Sequence, residues 1–181
     1  GQHRARRRIG DPLLGGDDGD GDSAGGRRGG RSQRSRGGVD GEDGDVGTAA
    51  VGAALANRKY GRLSINIQCD GDLNYAPAVL WTAAHHKIPL LSIMHNNRAY
   101  HEERMFLALL GAKYDRDPST SDIGTSLDGP AIDYASIAKG YGQYAEGPIS
   151  NPNDLCPAIK RALEQVKKGR PALLDVVTQP R

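Results

Sequence analysis

The chain has 181 residues, 37% of them apolar, which suits one domain of ordinary size and leaves no room for a second large one. A formal net charge of +2 gives the whole chain no basic character to argue for nucleic acid, and no apolar run approaches the roughly 18 residues of a membrane span. The Arg-rich start lacks the apolar stretch of a secretory signal, and Cys69 and Cys156 are far apart with no zinc or disulfide spacing, so a cytoplasmic protein with reduced thiols and no membrane partner is expected.

Residues 1–48 read as a disordered Gly/Arg/Asp-rich segment. Of the 25 glycines, 15 precede Thr48, aromatic residues are absent there, and Pro12-Leu13-Leu14 is its one apolar patch. Basic and acidic blocks alternate along it, so the RGG-like run Arg27-Arg28-Gly29-Gly30-Arg31 carries little net field, and RNA binding is disfavoured against a solvated tail. Gly, Arg and Asp codons are all GC-heavy, so the segment also has the composition of a GC-rich gene read out of frame, which the upstream DNA would test.

From Ala49 the texture changes to an Ala-rich helix that stops at Gly61. The alternating run from Leu63 to Ile67 reads as a strand ending at Asp70-Gly71. Asn74 is expected to cap the next helix, with Pro77 in its first turn and the helix continuing to His86, and Leu90 to Met94 forms a second strand. A strand, helix, strand unit is almost always a right-handed crossover, so these two strands lie parallel with their carboxyl ends on one sheet edge. Tyr100 to Leu110 is expected to be helical, Asp115 to Pro130 a mobile polar flap, Asp133 to Gly140 a short helix and Gln143 to Ala145 a short strand. An amphipathic helix over Asn153 to Lys168, capped by Asn151 or Asn153, and a buried strand over Ala172 to Val177 complete the chain. Trp81 and Met94 fall at core positions of their helix and strand. The sum is an α/β domain over 49–181, a layered parallel sheet with helices on both faces.

Asp70-Gly71-Asp72 ends the first strand and Asn96-Asn97 the second. Neighbouring strands run about 4.8 Å apart, so an Asp and an Asn at two such tips can converge on one ion. All the ligands would be oxygens, the set that suits Mg²⁺, which takes one or two carboxylates and fills its shell with substrate phosphates and water. Gly71 leaves room for backbone to approach a phosphate, and a helix start nearby would point free N–H groups at it. A calcium loop fits poorly, because Tyr75 and Trp81 stand where such a loop requires Gly and Glu.

The segment QCDGDLNYAPAVLWTAAHHKIPLLSIMHNNRAYHEE resembles the GDG-to-NN signature of thiamine-diphosphate-dependent enzymes of the acetolactate synthase type. The likeness extends from about Ala49 to Arg181 through IDYASIAKGYG and PALLDVVTQPR. It implies thiamine diphosphate and Mg²⁺ as cofactors. The side chains of Asp70 and Asn97 and the backbone carbonyl of Ala99 would be metal ligands, with the amides of Gly71 and Asp72 facing the diphosphate. It further implies a C-terminal cofactor-binding domain of a 2-keto acid lyase or transferase, working as a homo-oligomer or beside a pyrimidine-domain partner that supplies an activating glutamate. Cys69 stands in place of the signature's first Gly, GGVDGEDGDVGT replaces the family's upstream Gly-rich stretch, and 48 residues cannot hold the domains that precede this one in the family. The chain alone is therefore expected to be inactive, the alternatives being a non-catalytic fragment or one subunit of a split enzyme.

Overall fold

The computed structural model describes residues 46–178, so all but the last three residues of the expected disordered segment lie outside it. The first helix, α1, runs Val46–Arg58, starting three residues ahead of the expected Ala49, and ends in a turn at Gly61, whose φ of +63° is cheap for glycine alone. Strand β1 (Ser64–Cys69) follows.

The next helix departs from expectation. Helix α2 begins directly at Asp70 and ends at Tyr75, so Asn74 lies in its last turn and caps nothing. Pro77 explains the break: it restricts the residue before it and has no N–H to donate, and Ala76 accordingly leaves the helix at φ −144°. A separate helix, α3 (Val79–His85), then leads to β2 (Leu90–Asn96).

Helix α4 spans His101–Lys113. The expected flap is stitched down. It forms a 3₁₀ turn at Pro118–Asp122, Arg104 pairs with Asp122 at 2.5 Å, and its far end bonds to the chain after β2 through Tyr100 N–H to the Thr125 carbonyl and Leu127 N–H to the Arg98 carbonyl, both 2.8 Å. Helix α5 (Tyr134–Gly140) is capped by the Asp133 carboxylate, which accepts from the Ser136 amide at 2.8 Å. Strand β3 (Tyr144–Ile149) runs longer than expected, crossing Gly147 and Pro148 by an irregularity in its pairing. Asn151 caps α6 (Pro152–Lys167), and β4 (Ala172–Val177) matches its expected span.

The four strands are parallel in the order β1-β2-β4-β3. Strand alternation sends Met94 of β2, Leu173 of β4 and Ala145 of β3 to one face, where they pack with Leu73, Leu80, Tyr134 and Ala138 of α2, α3 and α5. Leu91, Ala172 and Leu174 point to the other face and meet Ala158, Ala162 and Val166 of α6. The second face of β1 has no such cover, leaving Ile65 and Ile67 exposed. Met94 is fully buried as expected, whereas Trp81 is half exposed: α3 turns Leu80 and Ala83 inward, and the indole stacks on His85 at 4.7 Å instead. No helix among the described residues is long and apolar enough to cross a membrane.

Candidate functional site

The register Cys69↔His95 at the last paired position puts the tips of β1 and β2 side by side. Asp70 is the first residue past β1, and its carboxylate is almost fully buried. One oxygen accepts from the Gly71 amide at 3.0 Å and the other from the Arg98 amide at 2.6 Å, which ties the first strand tip to the turn after the second. Within that turn Arg98 adopts a left-handed conformation at φ +60°, and the Asn97 side-chain oxygen accepts from the Ala99 amide at 3.1 Å. Asp70 is thus tied to the turn that carries Asn97 and Ala99.

The electrostatics around this turn are one-sided. Burial pushes the Asp70 carboxyl above its usual value, amide hydrogen bonds from Arg98 and Gly71 oppose that, and no cationic side chain among the described residues pairs with it. Asp72 is also raised, by burial first and then by Glu103 and Asp70. The guanidinium of Arg98 turns away to Asp128 at 3.7 Å. The neighbouring carbonyls of Arg98 and Tyr100 accept from Leu127 and Arg104, but no backbone amide among the described residues donates to the carbonyl of Ala99, itself a buried residue.

The Asp70 carboxylate, the Asn97 amide oxygen and the Ala99 carbonyl could together supply an all-oxygen donor set with a single negative charge. This fits a hard divalent cation that keeps part of its shell for another ligand. Among the described residues no group of three His, Cys, Asp or Glu is placed to hold a metal, so an ion here would rely on amide and carbonyl oxygens beside Asp70.

Gly71 behaves differently from the simple picture of an open approach. A Cβ there would lie 2.6 Å from two ring carbons of Tyr100, so the space that glycine leaves is filled by that ring. Tyr100 in turn meets Tyr75 edge to face at 6.0 Å. The fully buried Tyr134 donates its hydroxyl to the Asp70 carbonyl at 2.9 Å, pinning the start of α2 from beneath. Sequence reading missed Tyr134, whose partner lies 64 residues away. Tyr134→Phe is expected to cost about 1 kcal/mol of stability, read from urea denaturation, through loss of this one buried bond. A groove of about 580 Å³ between α1 and α3, lined by Val51, Leu55, Val79 and Ile88, includes none of the residues of the two strand tips.

Comparison with known proteins decides the family. The model of the thiamine pyrophosphate enzyme, C-terminal TPP binding domain, matches residues 41–176. The chain belongs to this family. It is the thiamine-diphosphate-binding C-terminal domain type, with the α/β parallel sheet expected of it. It is similar to a benzoylformate decarboxylase of Pseudomonas aeruginosa, 36% identical over 131 residues, covering 72% of this chain and 22% of that protein. A Mycobacterium tuberculosis protein assigned as an acetolactate synthase large subunit is 30% identical over 129 residues, 71% of this chain and 24% of its own. Among solved structures, the thiamine-diphosphate-dependent 4-hydroxybenzoylformate decarboxylase of Rhodococcus jostii superposes with a TM-score of 0.60 at 31% identity, covering 75% of this chain and 23% of that one. The domain thus spans less than a quarter of the length of these relatives.

Proposed function

We propose that this domain binds thiamine diphosphate through Mg²⁺ held by the Asp70 carboxylate, the Asn97 side-chain oxygen and the Ala99 carbonyl, with the Asp72 amide facing the diphosphate and the Gly71 amide shared between the diphosphate and Asp70 Oδ1. It serves as the C-terminal part of an acetolactate synthase-like or decarboxylating lyase or transferase acting on 2-keto acids. The carrying observation is the buried, cation-free carboxylate of Asp70 bonded to the turn that holds Asn97 and Ala99. Asp70, Asp72 and Glu103 make the surroundings negative, so a bare diphosphate is repelled and the cation must come with it. When bound, the cofactor supplies the electron sink for bond cleavage beside a keto group; the residues here hold and orient it.

A pyrimidine-side domain, from another part of a longer protein or from a separate chain, completes the site. Exposed Ile65 and Ile67 on β1, and Met105, Phe106 and Leu109 on α4, support a covering partner or a second copy, and two free thiols suit the cytoplasm. Calorimetry tests the cofactor reading: thiamine diphosphate should bind with Mg²⁺ present and fail to bind in EDTA. Binding that ignores the cation overturns it, and a chain that binds nothing is the scaffold alternative. The purified chain alone should leave pyruvate and benzoylformate intact; turnover without a partner would refute the need for one.

A further inference from the structure

Asp175 is the buried group that the fold itself does not require. It interrupts the apolar run of β4, is wholly inaccessible, and has no cationic partner among the described residues. One of its oxygens accepts from the Asn96 side-chain amide at 2.9 Å. The other has no hydrogen-bond partner among the described residues, and the Tyr134 amide is near enough only to offset part of the upward push of burial on its pKa. A carboxyl kept in such surroundings costs stability, so its use lies in what it holds.

What it holds is Asn96, itself buried on the same face of β2. The Asn96 side chain works at both ends, giving its NH₂ to Asp175 and accepting the Arg98 amide on its oxygen at 3.2 Å. That same Arg98 amide reaches Asp70 at 2.6 Å. An asparagine side chain can be turned over, exchanging its oxygen for its NH₂. An acceptor at Asp175 favours the orientation in which the oxygen faces Arg98; the reverse would set NH₂ against the Arg98 N–H, donor against donor.

We propose that Asp175 is a positioning residue for the metal-binding turn: by orienting Asn96 it holds the Arg98 amide between Asn96 and Asp70, and with it the left-handed turn that presents Asn97 and Ala99. This rests on the proposed cofactor site but has its own readout in the cofactor-free chain. Asp175→Ala removes the acceptor. Asp175→Asn keeps an oxygen of the same reach and loses the carboxyl.

By NMR hydrogen exchange on the full chain without cofactor, Asp175→Ala should speed exchange of the Arg98 amide selectively, leaving amides in the middle of β2 such as that of Ile93 protected. Asp175→Asn should restore the protection. In Mg²⁺-dependent thiamine diphosphate titrations, Asp175→Ala should lose about 10- to 100-fold in affinity, the range for a group that orients a metal ligand, with Asp175→Asn close to wild type. Should Asp175→Ala fail to fold, Asn96→Ala breaks the same chain of bonds one step nearer the turn and should give the same selective exchange. Arg98 exchange unchanged, or lost only together with that of Ile93, overturns the positioning role. Failure of the wild-type chain to bind the cofactor would sink the functional reading instead, and the exchange result would still decide this one.

Discussion

Asp70→Ala removes Mg²⁺-dependent thiamine diphosphate binding, by a factor on the order of 100 or more, while the melting temperature stays near or above that of wild type. A loss larger than the 10- to 100-fold typical of groups that merely orient a ligand is expected because Asp70 carries the only charge in the donor set. The fold should survive because the carboxylate is buried, has no cation beside it and is raised by that burial. Taking away such a group relieves a desolvation cost, and the Arg98 amide that loses it keeps Asn96 as acceptor at 3.2 Å. Asp70→Asn, of equal size and no charge, should lose binding almost as fully. Asp72→Ala should not: the proposal uses its backbone amide, and its carboxylate adds repulsion toward a diphosphate. Isothermal titration of the three variants, each beside a thermal melt, separates charge from shape. Equal losses at Asp70 and Asp72 would mean that the negative field as a whole, and not one ligand, binds the cation.

The site was legible in sequence to the extent that it lies at strand ends. Alternation in Leu63 to Ile67 and the apolar run from Leu90 give two strands, and a crossover of that length places their tips, with Asp70 and Asn96-Asn97, on one edge, as the parallel pairing of β1 and β2 shows. Local punctuation was read less well. Asp70-Gly71 reads as a turn before a helix capped at Asn74, whereas the helix opens at Asp70 itself and ends before Pro77, because a proline acts on the residue before it as well as on itself. The expected strand over Gln143 to Ala145 is too short, because on an edge strand the donor that Pro148 lacks can face away from the ladder, and β3 continues to Ile149. The supports of the site were invisible for a different reason. Asn96 meets Asp175 across 79 residues and Tyr134 meets Asp70 across 64, and no local pattern encodes either pairing. A lone acid inside Ala-Leu-Leu-Asp-Val-Val was the one available signal, since a charge in the middle of a buried strand demands a partner.

Gly147→Ala should be the most damaging small substitution in the sheet, costing about 2 to 5 kcal/mol, the sum of overpacking and backbone strain. Gly147 stands at φ +147°, and a Cβ built there would lie 2.5 Å from the Asp175 Cβ and 2.8 Å from the Asp175 carbonyl oxygen. Neither neighbour can yield cheaply: the carbonyl is main chain of central β4, and Asp175 is fully enclosed. Relief requires β3 to pull away from β4, across an edge pairing that is already irregular between Glu146 and Ile149. Gly169→Ala is the control, because Gly169 has φ +79° but nothing within 4 Å of its would-be Cβ. It should cost only the conformational part, about 1 kcal/mol. Urea denaturation of both variants reads the difference, and equal costs would place the whole penalty in backbone conformation. A total stability of about 5 to 15 kcal/mol leaves little margin for the larger loss. Because the displaced neighbour is Asp175, Gly147→Ala should also loosen the Arg98 amide, so a stability defect at the sheet edge would reach the metal-binding turn through the bond to Asn96.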